Sequence, residues 1–346
     1  MPQGSVLGPI LFVVFINDQP NSVVCDAFML ADDTKIFRTI SDESNIDIIQ
    51  KDLDELFNWS KLWFLKFHPD KCKVLPVMNK HSSHLPHIYS MNKYEGGRVD
   101  LGTDDHEIDI GVTIDRNLSF AMHIQNQVYK ANQLVGLTRR SFAYLDNRTF
   151  CLLFKALVRP HLEYASSVWC PYQKADILSV ENVQKRATKM LPSLKNMNYE
   201  ERLRELKLPT LRFRRLRGDM IDVYKILTGR YDKKVADDIF EVCSNKINRG
   251  HSMKLNKKRC RIDIRKYYFT NRVVDIWNDL PESVVSANTM FTFENRLDKY
   301  WANQPMKYDF NSDYITGRDK SIVYEEEEQN TLATSQVSIG KSTSCI

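Results

Sequence analysis

The sequence predicts an α+β protein, and three observations carry that expectation. Residues Val24 to Phe37 place apolar runs on either side of Ala31-Asp32-Asp33, the pattern of two short strands joined by a tight turn. Residues Asp109 to Asp115 alternate in the manner of a strand ending in a turn. From Ala121 onward the apolar period changes from two to about three and a half, which is the period of helices.

A chain of 346 residues with 42% hydrophobic and 27% charged content has the make-up of a soluble globular protein of two or more domains. Its seven cysteines, an odd number without Cys-x-x-Cys spacing, argue for a reducing, intracellular setting, cytoplasmic or nuclear, and against a disulfide framework or zinc site. His81, His84 and His87 recur every three residues, but Pro86 and polar neighbours make that stretch a loop. The run Val6 to Ile16 has the length of a signal-peptide core yet lacks a cationic start and a small-residue cleavage site. No later apolar stretch reaches the ~18 residues of a membrane span, so no membrane partner is expected.

The net charge of +5 hides an asymmetry. Residues 1 to 80 hold 8 Lys+Arg against 11 Asp+Glu, whereas residues 121 to 230 hold 20 against 9, a balance of +11. A basic region of this size is either a solvated face or a surface for phosphates.

Taken in order, the Asp32-Asp33 pair reads as an ordinary solvated turn or as hard oxygen ligands for Mg²⁺. Ile46, Ile49, Leu53, Leu56, Phe57 and Trp63 then share one face of an amphipathic helix that breaks near Phe67-His68-Pro69. Asp70 to Leu75 is a turn entering a strand, and residues 78 to 106 form an irregular connection. Gly111 is a close-approach glycine or a bulge. Arg159-Pro160 stops one helix and restarts another. Thr210 to Leu227 is a helix whose apolar side carries Leu211, Phe213, Leu216, Met220, Val223, Tyr224 and Leu227. Arg212, Arg214, Arg215 and Arg217 occupy the rest of its first two turns and are candidates for phosphate contacts. Asn245 to Arg261 is a basic loop, and hydrophobic density falls after Pro305 into an acidic and Ser/Thr-rich tail.

Pro2-Gln3-Gly4-Ser5, the apolar run after it and the Ala-Asp-Asp hairpin together resemble the palm of reverse transcriptases from non-LTR retrotransposons, Jockey-like elements above all. Further resemblances lie at Gly111-Val112 with Ser119, Phe120 and His123, at Leu157 to Ala165 with Val168-Trp169, at Val183 to Met190, and at Trp277 to Pro281. They span about residues 1 to 300. The resemblance implies that Pro2, Gln3 and Gly4 form the loop beside the incoming nucleotide, that Asp32 and Asp33 are catalytic ligands of Mg²⁺, and that Gly111 belongs to the primer grip. The implied partners are an RNA template and a DNA primer. Two departures stand out. Leu30 replaces the aromatic residue usual before Ala-Asp-Asp, and the family's first metal-binding aspartate lies upstream of Pro-Gln-Gly, where this sequence begins at Met1.

The resulting expectation is a truncated palm at 1–77 with a small antiparallel sheet and a connection with primer-grip-like strands at 78–120. A basic, mainly α-helical thumb at 121–232, a helical carboxy-terminal region at 233–305 and a disordered acidic tail at 306–346 follow. Three functional readings remain open on the sequence: a fragment of an RNA-directed DNA polymerase, inactive alone; a non-enzymatic nucleic-acid-binding remnant; and an inert product of a decayed element. The oligomeric state is not legible.

Overall fold

The computed structural model describes residues 7–78, 87–142, 144–231, 238–243 and 250–317 and divides into two units, Met1–Leu118 and Ser119–Ile346. The class is α+β, as the change of period indicates: among the described residues strands lie in the first unit, apart from an isolated bridge between Val242 and Leu255, and helices dominate the second.

The first unit runs α1 (Leu7–Ile16), β1 (Asp26–Leu30), β2 (Asp33–Phe37), α2 (Glu43–Leu62), β3 (Lys73–Val74), β4 (Ser90–Asn92), β5 (Arg98–Asp100), β6 (Gly102–Thr103), β7 (His106–Asp109) and β8 (Val112–Asp115). The strands pair as separate ladders rather than as one sheet: β1–β2, β4–β5 and β7–β8 are antiparallel, and β3–β6 is parallel. Among the described residues no strand exceeds five residues, and helix α2 ties the β1–β2 and β4–β5 ladders together.

Helix α2 starts at Asp42, whose side chain accepts from the Asn45 amide, a standard N-cap. It stops at Leu62, five residues before the expected break. Phe64 takes a left-handed φ of 55°, and the Leu65 amide bonds back to the Ser60 carbonyl at 3.0 Å, closing the helix end ahead of Pro69. The apolar stripe is partly as expected, with Leu53, Leu56 and Phe57 buried, but Trp63 is left at the surface. Asp52 and Ser60 are buried in its stead because both find partners. Asp52 accepts from the amides of Val24 (3.0 Å) and Cys25 (2.7 Å), and Ser60 bonds the Phe57 carbonyl and the Tyr94 hydroxyl. A small core of Leu53, Tyr89, Met91 and Leu101 packs beneath them.

The second unit contains α3 (Ala121–Ser141), α4 (Asn147–Leu153), α5 (Arg159–Glu163), α6 (Ser166–Trp169), α7 (Lys174–Thr188), α8 (Tyr199–Leu206) and α9 (Leu211–Leu227). After it come α10 (Asp263–Tyr267), α11 (Phe269–Arg272), α12 (Val274–Asn278), α13 (Glu282–Val285) and α14 (Met290–Tyr300). The stop and restart at Arg159-Pro160 takes the form of a π-helical turn, Phe154–Val158, between α4 and α5. Pro160 has no N–H and its ring crowds the carbonyl four residues back, and a widened turn accommodates both.

Helix α9 is the spine of this unit. Its Phe213, Met220, Val223 and Tyr224 share one core with Trp277, Phe293, Leu297 and Trp301, and Tyr224 stacks on Phe293 at 4.3 Å. Residues read from the sequence as thumb and as carboxy-terminal region are therefore packed together. Truncating a wholly buried ring such as Phe293 to alanine costs about 3–5 kcal/mol. Within the stretch expected as a disordered tail, the described residues 306–317 pack against the helices. The Thr210 hydroxyl bonds the Met306 carbonyl at 2.8 Å, Phe310 lies under Lys185, and the Gly317 amide bonds Asp279. The rest of the expected tail lies outside the described residues.

Candidate functional site

The hairpin carrying Asp32 and Asp33 folds as the sequence suggests. Leu30 pairs with Asp33, so Ala31 and Asp32 are the two central residues of the turn and Asp33 opens β2. Ala31 sits at φ 52°, a region L-residues other than Asn and Asp seldom adopt, and the turn therefore holds some strain beside the two carboxylates. Residues opposite each other share a face. One face of the hairpin has Ile36 on the α2 core and Thr34 bonded to Gln19 at 3.0 Å. The other, with Leu30, Asp33, Phe28 and Lys35, is the outer face, and there Phe28 stacks on Phe37 at 5.2 Å. Asp52 holds the hairpin's start from α2.

Both aspartates are exposed. Two adjacent, solvated carboxylates suit one Mg²⁺, which takes one or two carboxylates and keeps water elsewhere. Among the described residues no group of three or more His, Cys, Asp or Glu is placed to hold a metal ion. The described donor set at this turn is therefore the two carboxylates of Asp32 and Asp33. Pro2, Gln3 and Gly4 lie outside the described residues, as do His81 and His84.

Gly111 is neither in a strand nor in a bulge. Asp109 pairs with Val112, which makes Ile110 and Gly111 the turn of the β7–β8 hairpin, both with positive φ (45° and 77°). A two-residue hairpin loop of this kind needs positive φ at both positions; glycine supplies it freely and isoleucine only under strain. The sequence run 109–115 is consequently interrupted where its alternation suggested one strand. Lys35 on the outer face of β2 makes an ion pair with Asp109, and this contact joins the hairpin of Asp32 to the hairpin of Gly111. Lys35 has no sequence signal for that role.

The arginines of α9 meet a different geometry from the one expected of phosphate ligands. Arg212 donates to the Phe310 and Ser312 carbonyls and to Asp313; Arg214 makes a two-pronged bond to Glu163; Arg217 does the same to Asp298 and also reaches Glu294. Arg215 is 3% exposed. The Asp298 bond is the main cause that raises Arg217 above the ordinary arginine range. Carboxylates also enter this core: Glu181, wholly buried, accepts from the Tyr199 hydroxyl at 2.6 Å and the Leu211 amide, and burial pushes its carboxyl up. Asp219 is likewise raised by burial and is gripped by Arg272 at 2.9 and 3.1 Å. These groups hold α9 to its neighbours, so a phosphate would have to displace carboxylates already in place.

Helix α3 lies in the region that the sequence marks as basic and helical, and it is a long helix without a carboxylate: no Asp or Glu stands between Asp115 and Asp146. That signal was available in the sequence. No helix among the described residues is long and apolar enough to cross a membrane.

Residues 1–100 match the family described as reverse transcriptase (RNA-dependent DNA polymerase). The chain is 26% identical to the RNA-directed DNA polymerase from mobile element jockey of Drosophila funebris over 60% of its own length and 23% of the relative's. The jockey polymerase of Drosophila melanogaster is 26% identical over 61% of this chain and 24% of its own. The probable RNA-directed DNA polymerase from transposon BS of Drosophila melanogaster is also 26% identical, over 55% and 22%. The chain spans about a quarter of the length of the curated relatives it matches. No solved structure matches.

Proposed function

We propose that this chain, whose sequence is related to the reverse transcriptases of Jockey-like non-LTR retrotransposons, is part of an RNA-directed DNA polymerase and does not by itself complete the reaction. The observation that carries this reading is the Ala31-Asp32-Asp33 turn, set within the matched region and tied through Lys35 and Asp109 to the turn of Gly111. In the reading, residues 1–77 are a partial palm, 78–120 a connection with primer-grip-like strands, and the helices from 121 a thumb continuing into the carboxy-terminal region. Asp32 and Asp33 hold Mg²⁺, Pro2 to Gly4 flank the nucleotide, and Gly111 lets a primer backbone come close.

Bound divalent ions supply charge stabilisation on the reacting phosphoryl oxygens and activation of the attacking hydroxyl. The chain's own residues fix where that charge sits: Ala31 bends the backbone so that Asp32 caps the turn, and α2 holds the hairpin through Asp52. Asp26 does not add to the set, since it pairs with Phe37 at the opposite end of the hairpin. Phosphoryl transfer depends on positioning and charge, and two carboxylates at one turn leave both short. Arg212, Arg214, Arg215 and Arg217 have a tertiary role in this reading, and phosphate contacts fall to other residues.

Two assays test it. The purified chain, given primer, RNA template, nucleotides and Mg²⁺, should show no extension; extension that Asp32→Ala abolishes would overturn the incompleteness. A chimera in which this chain replaces the matching part of the Drosophila melanogaster jockey polymerase should synthesise DNA on RNA and lose that activity with Asp32→Ala. Equal synthesis after the substitution would remove Asp32 from the metal site.

A further inference from the structure

We propose that Cys260 is a modification site, a thiol that a hydroperoxide oxidises to sulfenic acid in a small cavity shared with Asn271, Lys258 and Arg265. The site lies outside residues 1–100, which match the polymerase family, and it does not depend on the functional reading above.

The cavity sets which oxidant can enter. It measures about 10 Å³ and is lined by Cys260 and Asn271, with Lys258, Arg265, Glu241 and Asn256 around them. That is room for one water-sized molecule. One oxygen of a hydroperoxide fits, and bulkier oxidants are kept out. Cys260 is half-buried, so its sulfur stays within reach of solvent. The Glu241 carboxylate is turned to the Asn256 amide at 3.1 Å, and Asn256 in turn accepts from the Cys243 thiol at 2.8 Å.

Asn271 is the positioning residue. Its Nδ2 donates to the Cys260 sulfur at 3.2 Å, and the thiol donates to the Lys258 carbonyl at 3.4 Å. Asn271 is 5% exposed, and among the described residues its Oδ1 has no donor. Buried acceptors are seldom left in that state. A sulfenic acid carries an O–H one S–O bond away from the sulfur that this amide already touches. Oxidation of Cys260 therefore delivers the donor that Oδ1 lacks, and the same bond holds the product back from further oxidation.

The step balances without another reagent. The sulfur lone pair attacks one peroxide oxygen, the S–O bond forms as the O–O bond breaks, and the departing hydroxide takes the thiol proton to leave as water. Sulfur gives up the electron pair that the peroxide accepts, and a second thiol reverses the change through a mixed disulfide. Lys258 and Arg265 place positive charge beside the hydroxide as it departs. Elsewhere in the chain, burial pushes the thiols of Cys25, Cys72, Cys151 and Cys170 up, which keeps them protonated and slow to react.

The test treats the reduced full chain with hydrogen peroxide at pH 7, traps sulfenic acid with dimedone and follows every cysteine by peptide mass spectrometry. Cys260 should be labelled at least ~fivefold faster than any other cysteine; labelling no faster than that of Cys243 would overturn the proposal. Asn271→Ala should slow labelling severalfold and raise the share of Cys260 that goes on to sulfinic acid. Asn271→Asp, which keeps an acceptor and loses the donor, should slow labelling equally yet retain the protection. Native behaviour in both variants would remove Asn271 from the site and overturn the proposal. R265Q/K258Q changes only exposed side chains, so it serves should the Asn271 variants fail to fold by circular dichroism. It should slow Cys260 severalfold and leave the other cysteines at their native rates; an unchanged Cys260 rate would overturn the proposal.

Discussion

Lys35 of β2 donates to Asp109 at the end of β7, so a single ion pair joins the turn of Asp32 to the turn of Gly111. The pair is half-exposed, and such pairs contribute about 0.2–1 kcal/mol. Its value is positional, since it ties two hairpins that otherwise belong to separate ladders. Asp109→Ala should lower Tm by no more than a few degrees. In the jockey chimera it should reduce DNA synthesis severalfold, beyond what the small stability loss explains, as primer extension at a temperature well below Tm will measure.

Ile110 is a β-branched residue held at φ 45°. Ile110→Gly or Ile110→Asn suits the turn and should stabilise the chain by about 1 kcal/mol, measured by thermal or urea unfolding. A loss of stability would mean that the isoleucine side chain has packing worth more than the strain it imposes.

The Arg272–Asp219 pair joins α11 to α9, with Asp219 3% exposed. Removing one member leaves the other charge without its partner, a loss of about 3–5 kcal/mol. Arg272→Ala should therefore shift the urea midpoint of the second unit strongly. Arg215→Glu, which puts a carboxylate into the same buried region, should also unfold it, and neither effect should depend on nucleic acid.

The Cys25 thiol is pushed up to about 11 by burial first and by the neighbouring Asp52 carboxylate second. Its ordinary value is 9.0, so the folded state favours the protonated thiol. The stability this contributes is complete below pH 9 and is lost as pH rises through 11. Cys25→Ala should remove that part of the fall, so the Tm difference between native and variant chains should narrow or reverse between these two pH values.

The sequence by itself determined the local features: the Ala-Asp-Asp hairpin, the amphipathic character of α2 and α9, the basic middle of the chain and the resemblance that the family match and the jockey relatives support. These are legible because turn chemistry and apolar period act between residues close along the chain. Tertiary structure alone decided what the charged residues do. The arginines of α9 look like a phosphate-binding row in sequence, but Glu163, Asp298 and Asp313 stand 51, 81 and 101 residues from their partners and meet them only in the fold. Asp52 is the same case in reverse: a helical aspartate that reads as solvated is buried because two amides 27 and 28 residues upstream bond it. A charge goes where its desolvation is compensated, and the compensating group is chosen by packing across the fold, which no local pattern encodes.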